Sequence, residues 1–456
     1  MAISLSSKQK NVDMTQGSIM KHLLTFALPL LVGNIFQQLY NTVDTWVVGN
    51  YVSNEAFAAV GSVGPVINML IGFFTGLSSG AGVVISQFYG AKQHEKVSQT
   101  VHTAIVMTAV LAVVFTAVGL IMTPFMLEMM NTDADVLPQS TAYLNIYFAG
   151  IVGLMFYNIG AGILRAVGDS RRPFYFLVVA AVMNTVLDLV FVLGCGMKVE
   201  GVALATVISQ GVSSVLVMLT LMRTGTCVKV EIKKLRCHWE MLKKIFLVGI
   251  PAALQMAVTS FSNVFVQSYV NFFGKDHMSA WTAYSKIDQL IFLPMQSIAL
   301  ASTTFVGQNL GSNQVKRARK GVGTALLLAL AATGIVMVPV LLFAPQLVRF
   351  FNSEPKVVEY GSELLYYLTP FYLLCAVNQI YSGALRGAGD SRAPMVIMLG
   401  SYVAFRQAYL YVVTKFIAND FLLVAMGYPA GWLLCSVFTA LYYHRAQLGK
   451  NRLVEA

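Results

Sequence analysis

Leu164-Arg165-Ala166-Val167-Gly168-Asp169-Ser170-Arg171-Arg172-Pro173 returns 221 positions later as Leu385-Arg386-Gly387-Ala388-Gly389-Asp390-Ser391-Arg392-Ala393-Pro394, with seven of the ten residues identical. Each copy follows one apolar run and precedes another. The offset is close to half of the 456-residue chain, so the sequence reads as two copies of one unit. In a membrane chain, duplicated halves commonly build a transport path between them. Within the phrase, Gly168 and Gly389 permit a tight turn that a Cβ would resist. Pro173 and Pro394 suit the first turn of a following helix. Asp169 or Ser170, and Asp390 or Ser391, can cap that helix. Arg165 and Arg386 fall where a preceding helix ends, against the negative pole of its dipole. The phrase therefore reads as a rigid elbow, not a binding site.

Composition excludes a water-soluble protein. Hydrophobic residues make up 57% and charged residues only 11%, against roughly 25% charged in soluble domains. The net charge of +11 does not point to nucleic acid, because Lys and Arg sit in short polar segments between apolar runs. Those runs reach the ~20 residues needed to cross a bilayer. The five cysteines form no C-x-x-C pair and are odd in number, so neither a disulfide framework nor a zinc site is expected. The N-terminal stretch is polar and carries no recognisable cleavable signal.

Twelve spans follow, at 22–48, 55–86, 98–123, 136–164, 173–194, 199–222, 244–272, 279–307, 320–344, 358–385, 394–415 and 421–444. The expected fold class is all-α integral membrane, with tails at 1–18 and 446–456, lobes at 19–222 and 244–445, and a basic linker at 223–243. One side holds Lys8, Lys10, Lys21, Lys92, Lys96, both elbows, the linker, Lys316, Arg317 and Arg319. The other holds few cations beside Asp133, Asp135, Glu354 and Asp420. That asymmetry predicts both termini in the cytoplasm. Further echoes support the repeat: Gln87-Phe88-Tyr89-Gly90 against Gln308-Asn309-Leu310-Gly311, and Pro29 against Pro251. Six spans per half is an even number, so the halves are parallel copies about an axis along the membrane normal.

On these residues the chain resembles the multidrug and toxic compound extrusion (MATE) family. The doubled L-R-x-x-G-D-S-R-x-P elbow, Phe88-Tyr89-Gly90-Ala91-Lys92 and Asn41-Thr42-Val43-Asp44 carry the resemblance. It implies two six-helix lobes forming a V, and drug export driven by H+ or Na+ from a cell (inner) membrane.

Acids inside the apolar spans are few: Asp44 in span one and Asp188 in span five. A charge at mid-membrane costs about 2.5–3.5 kcal/mol on insertion scales, so such residues tend to face a cavity, pair, or serve a function. Asn41 shares a helix face with Asp44, as Asn184 does with Asp188, and Thr206 adds a hydroxyl from span six. Gathered in a low-dielectric pocket, these groups can hold a proton or give hard oxygen ligands to Na+. The resemblance assigns ion coupling to Asp44, Asn184, Asp188 and Thr206, and less specifically to Tyr143 and Asn158, which read equally well as hydrogen-bonding glue between helices. The second half lacks matching acids, with Val266 and Tyr409 at the corresponding positions, so coupling is expected in the N lobe. In the C lobe, Asp288 is expected to pair with Arg406, with Lys286 nearby.

Phe36, Gln37, Gln38, Tyr40, Asn41, Met69, Met256, Phe261, Tyr284 and Met295 are substrate-contact candidates, since methionine and aromatic surfaces adapt to varied apolar ligands and ring faces attract cations. The expected cargo is a small amphipathic or cationic drug or dye, exported by a monomer through alternating access. No cofactor beyond the H+ or Na+ is expected, no resident metal, and no nucleic-acid partner. No phosphate loop or hydrolase signature is present, which speaks against a primary pump or a membrane enzyme. A lipid-linked oligosaccharide flippase of the same superfold, or a channel, are the competing readings.

Overall fold

The structure is a computed structural model and describes residues 12–52, 54–130, 132 and 134–454. Lys8, Lys10 and Asp133 lie outside the described residues, as does the side chain of Phe261. Among those residues there is helix and no strand. The first half comprises α1 (Ile19–Tyr51), α2 (Asn54–Gly90), α3 (His94–Met129), α4 (Leu137–Ala149), α5 (Ile151–Ala166), α6 (Arg171–Leu189) and α7 (Val199–Arg223). The second comprises α8 (Trp239–Asn271), α9 (Lys275–Gly311), α10 (Val315–Leu342), α11 (Ala344–Phe351), α12 (Pro355–Leu368), α13 (Tyr372–Gly387), α14 (Arg392–Leu399), α15 (Arg406–Val412), α16 (Phe421–Ala425) and α17 (Gly427–Arg445). π-helical turns at Val190–Gly194, Gly400–Phe405 and Val413–Ile417 extend α6 and join α14 to α15 and beyond.

Ten of these helical segments are long and apolar enough to cross a membrane, eleven when α4 and α5 count as one span bent by 47°. α12 and α13, joined by a 3-10 turn at Thr369–Phe371, occupy the place of the span expected at 358–385. Twelve transmembrane helices in two lobes are thus the fold, as the duplicated sequence predicts. Two details differ. The span expected at 136–164 is broken at Gly150, where a Cβ would lie 2.1 Å from Val207 Cγ1; the bend lets α7 approach. The linker is shorter than expected, because α8 already begins at Trp239.

The elbows are capped by their aspartates. Gly168 (φ +88) and Gly389 (φ +93) take the left-handed conformation, and each following amide returns to its helix, Asp169 N to Leu164 O at 3.0 Å and Asp390 N to Leu385 O at 2.9 Å. This is the Schellman closure that glycine makes cheap. Asp169 Oδ1 accepts from the amides of Arg171 (3.2 Å) and Arg172 (3.1 Å), and Asp390 Oδ1 from that of Ala393 (3.2 Å). Neither Ser170 nor Ser391 caps through its side chain. Burial holds the Asp169 carboxyl above the ordinary aspartate value, against the opposite pull of the Arg172 and Arg171 amides and charges.

The halves meet along α2, which runs against α8 and α9. Small residues let the backbones nearly touch: a Cβ on Gly80 would sit 2.4 Å from Gly249 Cα, and one on Gly76 2.4 Å from Ala253 N. At the elbow end, two equivalent glutamines clasp the halves together. Gln87 of α2 donates to Gly387 O (2.9 Å) and accepts from Leu453 N (2.7 Å). Gln308 of α9 donates to Ala166 O (2.9 Å) and accepts from Met14 N (3.0 Å). Each clasp thus joins one half to the opposite elbow and pins one terminal segment. All four side-chain contacts are buried, and a buried polar group left unpaired costs about 1–3 kcal/mol. Gln87→Leu strands Leu453 N and Gly387 O, so the melting temperature should fall and the C-terminal segment should become accessible to limited proteolysis, with the N-terminal segment unaffected.

Candidate functional site

α1 and α6 pack side by side, α7 lies against α6, and α4 against α7. That arrangement brings together Asp44, Asp188, Asn184, Thr206 and Tyr143. The carboxyl groups of Asp44 and Asp188 face one another within hydrogen-bonding range. As two bare carboxylates they have no proton to give each other. Both oxygens of Asp188, Oδ1 of Asp44 and Oδ1 of Asn184 are buried without any hydrogen-bond donor. Asp188 is fully buried and Asn184 nearly so. Asn184 Nδ2 reaches Thr206 Oγ1 at 3.5 Å, and Thr206 donates to Val202 O at 3.0 Å. The Tyr143 hydroxyl bonds to Thr206 beside both carboxyls. Tyr40, next to Asp44, is held by Gln37 and Gln210.

Two like charges cannot sit together in a low-dielectric site, so the pair needs a compensating positive charge. A proton shared between the carboxyls supplies one. A bare cation among four unpartnered oxygens supplies another. Asn158 does not join the cluster: its Nδ2 donates to Leu154 O (2.9 Å) one turn back on α5.

The C lobe holds the second feature. A cavity of about 430 Å³ lies between the lobes, lined by Gln37, Gln38, Asn263, Asp288, Arg406 and Trp432 among others. Asp288 and Arg406 share this cavity but do not pair; among the described residues the ion pairs are Arg172–Asp169, Lys234–Glu231 and Lys244–Glu240. Asp288 accepts instead from the Tyr372 hydroxyl, which is itself bonded to Tyr284 at 2.9 Å. Arg406 Nη1 donates to Asn263 Oδ1 at 3.1 Å, and its guanidinium lies 4.1 Å from the Tyr428 ring centre. Each charge is thus met by neutral partners, Tyr372 of α13 on Asp288 and Asn263 of α8 and Tyr428 of α17 on Arg406. Lys286 is exposed on α9.

Of the substrate candidates, Gln37 and Gln38 line the cavity. Tyr284 is a buried packing residue, and Met295 is fully buried. Met256 fills the α2–α8 seam, 3.3 Å from where a Gly72 Cβ would stand. Phe36 packs against Phe174 with ring centres 6.5 Å apart, Asn41 donates to Gln38 Oε1 at 3.4 Å, and Met69 is half-buried. Asn263, Gln289, Gln296 and Gln379 line the cavity and escaped the sequence reading. They are amides inside long apolar runs of the second half, as Gln37 and Gln38 are of the first.

Twelve membrane helices, built twice from one six-helix unit around a central cavity, define a membrane transporter and not an enzyme. The chain belongs to the MatE family, whose model matches residues 29–190 and 251–412, once per half. It is 28% identical over 434 residues to the probable multidrug resistance protein YpnP of Bacillus subtilis (strain 168), covering 95% of this chain and 97% of that one. It is 29% identical to the probable multidrug resistance protein YoeA of the same strain, with 93% and 94% covered. Its fold matches an outward-facing structure of a multidrug resistance MATE family transporter of the MOP superfamily, at TM-score 0.91 and 24% identity, covering 96% of this chain and 98% of that one.

Proposed function

We propose that this protein is a secondary active multidrug exporter, which exchanges H+ or Na+ at the Asp44–Asp188 pair against an amphipathic drug-like molecule held in the cavity between its lobes. The observation that carries this reading is the pair of facing carboxyls, three of whose four oxygens are buried without a donor. With one ion bound, the pair carries a single negative charge and α1 packs closely on α6; once the ion leaves, repulsion between the two carboxylates favours a different packing of α1 against α6. Alternating access follows if the two packings expose the cavity to opposite sides. The basic elbow end is the cytoplasmic one and the membrane is the cell membrane. One elementary charge crossing about 100 mV supplies about 2.3 kcal/mol, which is enough to concentrate an uncharged cargo about fiftyfold.

The test is dye export from vesicles carrying the purified chain, with a proton gradient or a sodium gradient imposed separately. Export should follow one gradient and stop when the matching ionophore collapses it. Transport that ignores both gradients and saturates like a pore would favour a channel.

A further inference from the structure

Among the described residues no carboxylate pairs with Arg406. It heads α15 just after the π-helical turn Gly400–Phe405, in mid-span, and is only 2% exposed. Membrane-buried arginines are expensive and normally find a counter-charge. Here the guanidinium spends one N–H on Asn263 and stacks near the rings of Tyr428 (4.1 Å) and Tyr402 (5.2 Å). Its Nε is buried with no partner. A guanidinium offers five N–H donors in a planar fork. An amide and two ring faces orient such a fork, but they do not neutralise it.

We propose that Arg406 anchors the carboxylate of an aromatic cargo molecule, resting on the reading of this cavity as the cargo site. The fork geometry suits a carboxylate, which accepts two parallel N–H bonds. Among the described residues that line the cavity Arg406 is the one cation, so it matches a single negative charge better than a phosphate dianion. Phe292 and Trp432, with ring centres 6.4 Å apart, give the cavity an aromatic wall. A volume of about 430 Å³ is that of a small drug site. Asp288 lines the same cavity and accepts from Tyr372, so the guanidinium is the group there that can donate to a carboxylate.

Rhodamine 110, an aromatic dye with a free carboxylate, and rhodamine 123, its methyl ester, differ only at the proposed contact. Binding to the purified full-length protein is read by fluorescence anisotropy with no gradient present. The wild type should hold the acid about tenfold more tightly than the ester, the difference that one charge-assisted contact supplies. Arg406→Gln should erase that preference by weakening the acid dye about tenfold relative to the ester, while Arg406→Lys retains part of it. Equal affinity of the wild type for both dyes overturns the proposal, and so does equal weakening of both dyes by Arg406→Gln. Should Arg406→Gln fail to fold, the wild-type comparison and Arg406→Lys still decide. Gradient-driven export of the ester dye is measured alongside: its absence counts against the exporter reading, whereas equal affinities count only against Arg406.

Discussion

Asp188→Asn should abolish ion-driven export while leaving the protein folded. The substitution keeps the shape of the side chain and removes its charge. Asp188 is fully buried, and both of its oxygens lack donors, so no ion pair is broken by the change. The facing Asp44 carboxyl instead gains an amide N–H to accept from. Relief of like-charge crowding should hold the melting temperature level or raise it, the trade between activity and stability expected of a strained site. Export should drop by at least about tenfold, since a loss of only ~1.4 kcal/mol in ion affinity suffices for that. Asp44→Asn should behave alike, and the double variant no worse than either, because the two carboxyls share one ion. Transport assays paired with thermal melts check both halves of this expectation. Full export by Asp188→Asn would place coupling elsewhere in the chain.

Much of this architecture is legible in the sequence because membranes leave few options for an apolar chain. The repeated elbow discloses the duplication, and the spacing of Gly168, Asp169 and Pro173 foretells a turn and a cap that the structure contains. Asp44 and Asp188 stand out because acids are rare in apolar spans, and the structure brings them together. Pairing is a different matter. Asp288 and Arg406 are joined by sign alone in the sequence, yet the groups that meet them are neutral. Tyr372 and Asn263 belong to α13 and α8, and only the packing of three helices shows which partner is nearer. Gln87 and Gln308 teach the same lesson. Their echo is visible in the sequence as equivalence between halves, but equivalence does not say that each glutamine reaches into the opposite half. Methionine and aromatic counts fail for a related reason: Met256 and Tyr284 face packing seams, and composition does not tell which side of a buried helix opens on a cavity.

Gly90→Val should hold the elbow end apart and block transport. A Cβ on Gly90 would lie 1.9 Å from Gln308 O, and one on Gly311 1.9 Å from Gln87 O. Both obstacles are backbone carbonyls, so no side-chain rotation relieves the clash, and α2 must part from α9. Separation there would also break the clasps, since Gln87 and Gln308 lie three residues before these glycines. The amides of Met14 and Leu453, now buried on the two glutamines, would then meet solvent. Hydrogen–deuterium exchange in peptides containing those two residues should accelerate, because exchange reports local opening directly, and dye export should fall to the background of empty vesicles. Gly323→Ala is the matched control. Its Cβ meets nothing within 4 Å on α10, so it should export normally and gain up to about 1 kcal/mol from better helix propensity. If Gly90→Val exported normally with its tails still protected, close contact between α2 and α9 would not be needed for transport.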